Sequence, residues 1–338
     1  MDNWILMGPK TLNNRPQGEL SLAPEQVKIK VTYVLLSNFD ALCYSGDLPV
    51  AYPKTIGRFA VGIVTDCGEK VYGVQKGSRV FIKGARPCGK CLHCRRGDTN
   101  NCEDIQIAGQ DFDGFLRDFV VCDYRRVAVL PEDIDHIHAL CIEHVAFAEN
   151  IYDQLSLPAG SKVAIVGGNA MALILAQVAM YHKLVPVVID DSPALIEKFK
   201  RAGVYYTILN DEDLDSSIAE ATSGLKCDAS IYIACSRMTP DVASRVLARD
   251  KTLVLEGMAS LRFKLDSLPL FRNNIRVITV TDGFGYTESA INMILHGAID
   301  LSMFEKQEMS EYVPSALLGG MLTDIAHGTK MNIIKLIF

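Results

Sequence analysis

The chain has 338 residues, of which 49% are hydrophobic and 22% charged, and its formal net charge is −6. This length suits two globular domains of ordinary size, and the composition is that of a folded protein. The negative charge and the lack of a basic stripe exclude a nucleic-acid partner. The first residues do not resemble a secretory leader, and the longest apolar stretch, 163–180, is interrupted by polar residues, so we expect no membrane segment.

The first part of the chain predicts short strands separated by glycine and proline turns. Four segments carry the alternating or continuously apolar patterns of strands: Gln26–Leu36, Phe59–Gly68, Ser78–Gly84 and Asp113–Pro131. The last of these segments is long enough for two strands. Several strands in succession indicate a partly open β-barrel.

Four cysteines stand within fifteen positions, in the spacing C-x-x-C-x-x-C-x(7)-C: Cys88, Cys91, Cys94 and Cys102. Zinc binds four thiolates in a tetrahedron, and Cys-x-x-Cys turns let successive sulfurs converge on one ion. A closed shell of four sulfurs leaves no position for substrate, so we predict one structural zinc. Disulfides and an iron–sulfur cluster are the alternatives, and we expect His93 to be solvated rather than a ligand.

The other six cysteines are scattered along the chain without the pairing pattern of a disulfide framework. A thiolate zinc site also requires its sulfurs to stay reduced. Both observations favour a reducing compartment, so we expect a cytoplasmic protein.

From about Glu143 the pattern changes to alternating helices and strands. Apolar strand patterns occur at 162–168, 185–191, 228–235, 251–257 and 275–280, with 170–183, 192–203 and 240–250 between them. This order predicts a parallel, doubly wound sheet. After about Gly283 the chain becomes helical again, and it closes with the apolar strand Met331–Phe338.

A strand, a glycine turn and a helix follow one another at 162–183, the arrangement that binds a dinucleotide pyrophosphate at a helix N-terminus. The candidate cofactor-binding residues are Gly167, Gly168, Asn169, Ala170, Met171 and Asp190. Asn169 replaces the second glycine of Gly-x-Gly-x-x-Gly, whereas Ala172 is an accepted third residue. The alternative is therefore a Rossmann-like domain that no longer binds cofactor.

Asp190 ends the second strand of this unit, 23 residues after Gly167. That is the spacing of a carboxylate that binds the adenosine ribose. Asp191 beside it would repel a 2′-phosphate. If a dinucleotide binds, the sequence favours NAD(H) over NADP(H).

Four segments carry a resemblance to one superfamily: RPCGKCLHCRRGDTNNCE (86–103), DGFLRDFVV (113–121), LCIEHVAFA (140–148) and DGFGYTESAINMILHGAID (282–300). They resemble the structural-zinc loop and three further segments of the zinc-containing medium-chain dehydrogenase/reductases, the alcohol and polyol dehydrogenases. The resemblance implies an α/β fold with a GroES-like, β-rich catalytic domain at 1–144 and 283–338 and a Rossmann domain at 145–282. It also implies a homodimer or homotetramer joined through a sheet edge, for which 274–280 is our candidate.

The same resemblance implies a second zinc, held by three side chains in the cleft where substrate binds. The matching positions here are Ser37, Arg58 and Glu143, and Phe39 replaces a hydroxyl residue of the superfamily's proton relay. Because a guanidinium does not give up its proton to bind a metal, we predict that the catalytic zinc is absent. Rescue by other ligands is the alternative, and the candidates are Cys43, His136, His138 and His144.

Arg58 and Glu143 take facing positions of that metal site, so we expect them to form an ion pair. One interpretation is a structural plug that compensates a buried carboxylate. The other is an electrophile, in which Arg58 binds an anionic substrate or a developing oxyanion in place of zinc.

We predict an NAD(H)-dependent oxidoreductase that acts on a small alcohol, carbonyl or activated double bond without a catalytic metal. The candidate catalytic residues are Ser37, Asp40, Tyr44, Arg58 and Glu143. Of these, Ser37, Asp40 and Tyr44 are the candidate proton donors. Two alternatives remain: a non-catalytic descendant with degenerate sites, and a sugar-phosphate or polyol reductase, which Glu143 and Arg58 suggest.

Overall fold

The computed structural model describes residues 2–233, 238–257, 264–280, 282–283, 285–303, 306–310, 318–322 and 331–336. Four predictions extend past these ranges: Cys235, the end of the strand at 228–235, the end of the strand at 331–338, and parts of 283–338 lie outside the described residues. Among the described residues, no helix is both long and apolar enough to cross a lipid bilayer.

The first part of the chain is built mainly from strands, as its alternating pattern predicts. These strands are β1 (Asp2–Gly8), β2 (Thr11–Pro16), β3 (Gln26–Leu36), β4 (Lys54–Thr55), β5 (Phe59–Cys67), β6 (Arg79–Ile82), β7 (Ala85–Arg86), β8 (Gln106–Ile107), β9 (Phe119–Asp123) and β10 (Val127–Val129). Two helices interrupt them: α1 (Asn38–Ser45) and the short α2 (Leu92–Arg95). Strand β3 is central because its alternation buries Val27, Ile29 and Val31 completely.

Helices and strands alternate in the second part. They are α3 (His136–Leu140), α4 (Ile142–Leu155), β11 (Lys162–Val166), α5 (Ala170–Tyr181), β12 (Val185–Asp190), α6 (Pro193–Arg201), β13 (Tyr206–Leu209), α7 (Leu214–Thr222), β14 (Cys227–Ile233), α8 (Pro240–Arg245), β15 (Leu247–Glu256), α9 (Ser267–Asn273), β16 (Arg276–Thr279), α10 (Thr287–Leu295), β17 (Lys306–Ser310) and β18 (Met331–Lys335). Strands β11, β12 and β14 are almost wholly buried, which explains why they are continuously apolar.

Six of these strands form one parallel sheet in the order β13-β12-β11-β14-β15-β16. This is the doubly wound order 3-2-1-4-5-6. The order reverses between β11 and β14, so a crevice opens there at the carboxyl edge of the sheet, the edge where α/β folds bind dinucleotides.

The strands of the first part form a second, largely antiparallel sheet in the order β10-β6-β5-β3-β18-β17, with β9 also paired to β3. Strand β18 comes from the far end of the chain and runs antiparallel to β3, with Ile334 opposite Val34. The predicted α/β fold, a GroES-like β-rich part and a Rossmann part, is therefore confirmed. The domain boundaries stay a prediction, because one core cluster contains both Phe59 and Val254.

Candidate functional site

The four cysteines predicted to bind zinc converge in the lobe formed by residues 88–102. Their Sγ atoms all lie within 4.8 Å of one another, and those of Cys88 and Cys94 are 3.9 Å apart. Sulfurs bound to zinc at about 2.3 Å stand about 3.8 Å apart in a tetrahedron. The sulfur positions therefore fit one zinc ion that has no coordination position left for substrate.

Backbone N–H groups of the lobe point at these sulfurs. The N–H of Cys88 donates to Cys102 Sγ at 3.2 Å, and the N–H of Cys94 donates to Cys91 Sγ at 3.4 Å. Hydrogen bonds from Cys94 and Glu103 lower the pKa of Cys91 to about 6, whereas burial raises the pKa of Cys94 to about 12. Cys91 is therefore the sulfur that these contacts favour as a thiolate before a metal binds.

His93 lies in the same lobe but outside this set of sulfurs. Its Nδ1 atom contacts Asp98 Oδ2 at 2.9 Å, and its side chain is partly exposed. Within the described residues, the four cysteines are the one group of His, Cys, Asp or Glu arranged to hold a metal.

Arg58 and Glu143 form the predicted ion pair. Arg58 Nε and Nη2 donate to Glu143 Oε1 at 3.0 and 2.5 Å, and the N–H of Gly84 donates to Oε2 at 3.2 Å. The side chains are 14% and 13% exposed. Both carboxylate oxygens thus accept hydrogen bonds from the protein, and the charge of each partner is compensated by the other.

Two phenyl rings and one glycine lie next to the Arg58 side chain. The rings of Phe39 and Phe59 lie 5.5 and 5.2 Å from its central carbon, at cation–π distance. A Cβ at position 84 would lie 2.7 Å from Arg58 Cγ and would also meet the Arg58 carbonyl. Glycine at 84 therefore permits the close approach that brings its N–H to Glu143.

His144 follows Glu143 on α4 and packs against Phe59, with ring centroids 4.4 Å apart. Its Nδ1 atom is buried and has no hydrogen-bond partner among the described residues. Burial lowers the pKa of His144 to about 4, with Glu143 acting in the opposite direction. The imidazole is therefore neutral at physiological pH.

The other proposed rescue ligands lie in separate contacts. His136 Nε2 contacts Glu308 at 2.9 Å, and His138 Nδ1 contacts Asp135 at 2.7 Å. Cys43 is buried in the core of the β-rich part, where burial raises the pKa of its thiol. Within the described residues, these groups do not join Glu143 in a metal-holding cluster.

Asp40 connects two backbone segments next to the Arg58–Glu143 pair. Its Oδ2 accepts the N–H and the hydroxyl of Ser37 at 2.9 and 3.0 Å, and its Oδ1 accepts the N–H of Gly57 at 2.8 Å. The residue is 1% exposed, and burial raises the pKa of its carboxyl. Asp40 thus ties the start of α1 to the residue directly before Arg58.

The other two candidate donors sit at either end of α1. Ser37 precedes the helix and is part of its capping box, so its hydroxyl is engaged with Asp40. Tyr44 lies in the last turn, where its hydroxyl packs against Gly319. The proton-donor roles of Ser37, Asp40 and Tyr44 stay predictions.

The glycine loop connects β11 to α5 at the switch point of the parallel sheet. Gly167 has φ +110°, a conformation that a residue with a side chain rarely adopts. Asn169 is the N-cap of α5, and its Oδ1 accepts the N–H of Ala172 at 3.0 Å. The N–H groups of Ala170 and Met171 lie in the first helical turn, where no intrahelical acceptor exists.

Asp190 holds this loop against the end of β12. Its Oδ2 accepts the N–H of Gly168 at 2.6 Å, and its Oδ1 accepts the N–H of Ser192 at 2.8 Å. It is 4% exposed, and burial raises the pKa of its carboxyl, with Asp191 acting in the same direction. Each carboxylate oxygen can accept a second hydrogen bond, so Asp190 keeps acceptor capacity for a ribose hydroxyl.

Sequence reasoning missed two titratable residues near these sites. Lys83 lies between the end of β6 and Gly84; burial lowers the pKa of its amino group, while Glu288 and Glu143 raise it. Glu256 is the buried last residue of β15, and burial raises the pKa of its carboxyl to about 7. An acid that ends an otherwise apolar strand, as in TLVLE, is a signal that could have identified Glu256.

A cavity of about 630 Å³ lies in the β-rich part of the chain. Its lining is polar as well as apolar, and includes Tyr52, Gln106, Gln110 and Asp111. Gln110 Nε2 donates to the carbonyl of Pro49 at 3.2 Å, which joins two loops of the wall. No residue of the parallel sheet belongs to this lining, so the cavity is separate from the dinucleotide crevice.

Residues 23–132 match the family model of the alcohol dehydrogenase GroES-like domain. The sorbitol dehydrogenase of Halalkalibacterium halodurans is 31% identical over 219 residues, which are 64% of this chain and 63% of that protein. The matched part is therefore less than two thirds of that relative. The 2-dehydro-3-deoxy-L-galactonate 5-dehydrogenase of Pseudoalteromonas atlantica is 26% identical over 313 residues, or 90% of each protein.

Solved structures share the fold over the whole chain. The short chain alcohol dehydrogenase rspB of Escherichia coli CFT073, complexed with NADH, has a TM-score of 0.84 at 20% identity, and the match covers 100% of this chain and 99% of that one. A GroES-like sheet joined to a doubly wound parallel sheet is the fold that this structure and the chain share. In sequence the chain is similar to alcohol and polyol dehydrogenases, in agreement with the resemblance that its four segments carry.

Proposed function

We propose that the chain is an NAD(H)-dependent oxidoreductase of the medium-chain type, with one structural zinc and none in the cleft of Arg58 and Glu143. The observation that carries this proposal is the hydrogen bond between Asp190 and Gly168. It holds the glycine loop and a ribose-type carboxylate together at the switch point of the sheet. When bound, NAD(H) supplies or accepts the hydride.

The loop residues define how this chain would bind the dinucleotide. The first-turn N–H groups of Ala170 and Met171 face the position of the pyrophosphate, at the positive end of the α5 dipole. Asp190 accepts from the ribose hydroxyls, and the second negative charge of Asp191 disfavours a 2′-phosphate. These features support NAD(H) over NADP(H).

For the cleft, we propose that Arg58 is a structural plug. Two of its nitrogens already donate to Glu143, and its central carbon lies 5.5 and 5.2 Å from the rings of Phe39 and Phe59. An arginine that polarises substrate would need its donors aimed at the substrate oxygen instead. Hydride transfer to a small carbonyl or activated double bond then proceeds with less polarisation than a zinc ion would supply.

For the substrate class, we propose a polyol or the carbonyl compound derived from it. Sorbitol and galactonate derivatives are the compounds named for the two curated relatives, which supports this class.

Calorimetric titration with NADH and NADPH tests the cofactor part directly, and elemental analysis tests the metal part. We expect NADH to bind at least tenfold more tightly than NADPH and one zinc per chain. A turnover assay over small polyols, aldehydes and enones with NAD(H) then tests the reaction. Absence of NADH binding at millimolar concentration would contradict the proposal.

A non-catalytic protein is the second candidate, and one observation favours it. Asn169 caps α5 with its own side chain and so occupies an N–H that the pyrophosphate could use. If NADH does not bind while zinc and the folded state are intact, this candidate replaces the first.

The proposal also includes a second copy of the chain as partner and a cytoplasmic location. Strand β16 ends the order of the parallel sheet among the described residues, and Arg276, Val277 and Thr279 on it are exposed. We propose that two copies pair along this edge to form a homodimer or half of a homotetramer. None of the nine described cysteines is joined to another in a disulfide, which supports a reducing, cytoplasmic location.

A further inference from the structure

Glu256, the last residue of β15, is a buried acid to which hydride transfer assigns no role. It is 8% exposed, and its Oε2 atom has no hydrogen-bond partner among the described residues. A buried carboxyl oxygen without a partner costs free energy, which an apolar side chain such as Val254 avoids. An acid at such a position points to a ligand that completes its hydrogen bonds.

Glu256 lies at the carboxyl edge of the parallel sheet, opposite Ile233 at the end of β14. Asp190 ends β12 at the same edge. Strands β12, β11, β14 and β15 are successive neighbours, and three steps of about 4.8 Å separate the two acids by about 14 Å along the edge. The glycine loop lies between them.

A dinucleotide crosses such an edge with its pyrophosphate at the glycine loop. With the adenosine half at Asp190, the other half extends across β14 and β15. Glu256 lies on the side of the glycine loop toward which that second half extends.

The side chain of Glu256 also lies on the relevant face of the sheet. Because side chains alternate along a strand, Glu256 shares its face with Val254. Val254 and Ile233 belong to the core cluster that contains Val145 of α4. Helix α4 carries Glu143 in its first turn, so this is the face on which cofactor and cleft meet.

We propose that Glu256 binds the carboxamide of the nicotinamide ring, an inference that rests on the proposed NAD(H) function. A protonated carboxyl offers an O–H donor beside a C=O acceptor. The primary carboxamide offers the complementary acceptor and donor, so two parallel hydrogen bonds form and fix the orientation of the ring. Burial raises the pKa of Glu256 to about 7, which keeps a large protonated fraction near neutral pH.

The test compares two probes on three proteins by isothermal titration calorimetry. NADH contains the nicotinamide, and ADP-ribose lacks it but keeps the adenosine half. For Glu256→Leu we expect the Kd of NADH to rise about tenfold or more, because two hydrogen bonds are lost, while the Kd of ADP-ribose stays within about twofold. Glu256→Gln retains one donor and one acceptor, so its Kd for NADH should stay within about threefold.

A second measurement needs no folded variant. Reduced 3-acetylpyridine adenine dinucleotide keeps the ring carbonyl but has a methyl group in place of the NH₂. The wild-type protein should bind it more weakly than NADH, and equal affinity for the two dinucleotides would contradict the inference.

Two results would overturn the inference while leaving the proposed function intact. One is an unchanged NADH affinity in Glu256→Leu; the other is an equal loss of NADH and ADP-ribose affinity. A wild-type protein that binds neither probe would instead contradict the proposed function, and the inference would fail with it.

Discussion

Two nitrogens of Arg58 converge on a single carboxylate oxygen of Glu143, while the second oxygen accepts the N–H of Gly84. The pair is largely buried, so neither charge is well solvated if its partner is removed. The pair therefore stabilises the fold only while both residues are present.

Replacing Arg58 by Met should lower the free energy of unfolding by about 3–5 kcal/mol, because the carboxylate of Glu143 then stays buried without a partner. The double variant Arg58→Met/Glu143→Leu should recover most of that loss, since apolar replacement of a buried pair is often neutral. Urea unfolding curves give both values. Arg249→Met is the matched control: that side chain is 73% exposed, so a change of about 0.5 kcal/mol or less is expected.

Equal losses in the single and double variants would show that the two residues do not depend on each other.

Turnover distinguishes a structural role of Arg58, the plug, from a role as an electrophile that polarises the substrate. Unchanged turnover in Arg58→Met, despite lower stability, supports the plug.

Substituting Cys102→Ser should remove the zinc ion, because three sulfurs and a neutral hydroxyl do not form the closed shell. Elemental analysis should give one zinc per chain in the wild-type protein and close to none in the variant. Limited proteolysis should then cut within residues 88–102. Cys67→Ser, which changes a cysteine outside the lobe, should keep its zinc.

Two zinc ions per wild-type chain would contradict the proposal of a metal-free cleft. Density for a tetrahedral ion bound to Glu143 would have the same consequence.

Replacing Asn169 by Gly should tighten NADH binding by about threefold to tenfold. The side chain of Asn169 occupies the N–H of Ala172, and one recovered hydrogen bond is worth about 0.5–1.5 kcal/mol. The loss of the cap costs only a few tenths of a kcal/mol when glycine replaces asparagine. Calorimetry measures the affinity, with Asn169→Ala as the control that frees the N–H but keeps a Cβ.

Weaker binding by Asn169→Gly would mean that the asparagine cap is itself part of the binding site. Equal gains in the glycine and alanine variants would assign the effect to the freed N–H alone.

Glu256 should make stability depend on pH in the absence of cofactor. Its pKa is about 7 in the folded state against an ordinary value of 4.5, so the folded state holds the proton more tightly. The associated stability is present below pH 4.5 and is lost as the pH rises through 7. Between pH 4.5 and 8, the free energy of unfolding of Glu256→Gln should therefore rise by about 3 kcal/mol relative to that of the wild-type protein.

Urea unfolding at intervals of one pH unit measures this difference. Glu212→Gln, at an exposed residue, is the control. Its free energy of unfolding should differ from that of the wild-type protein by the same amount at every pH. A flat difference for Glu256→Gln as well would show that the Glu256 carboxyl is ionised in the folded protein.

Val277→Lys should convert a dimer into a monomer, because a lysine on an edge strand opposes pairing with another strand. Sedimentation velocity at micromolar concentration measures the change. Tyr205→Lys is the control and should stay dimeric, because this residue is 84% exposed and precedes β13, at the opposite end of the sheet from β16. A wild-type monomer would contradict the proposed edge.

The elements that depend on local patterns were predictable. Strand β3 has the predicted bounds, Gln26–Leu36, and the cysteine lobe converges as its spacing indicates. Zinc ligands in short Cys-x-x-Cys turns are neighbours in sequence, so their geometry is encoded locally. Strand β15 begins at Leu247, four residues before its predicted start, because α8 ends at Arg245.

Elements with little burial or few residues were not predicted. Strand β2 buries one residue of six, Leu12, so it has no apolar alternation to detect. Helix α1 was also missed, although Ser37 and Asp40 form an S-x-x-D capping box that marks a helix start. The roles of Asp40 and Glu256 depend on contacts that only the folded chain creates.

Strand β18 completes the sheet around β3, although nearly the whole chain separates the two in sequence. During synthesis, all six strands of the parallel sheet are available once β16 has left the ribosome. Strand β3, in contrast, lacks its partner β18 until residue 335 has been made. Residues 33–36 of β3 therefore lack their partner strand until the end of translation, and a chain that terminates before β18 never acquires it.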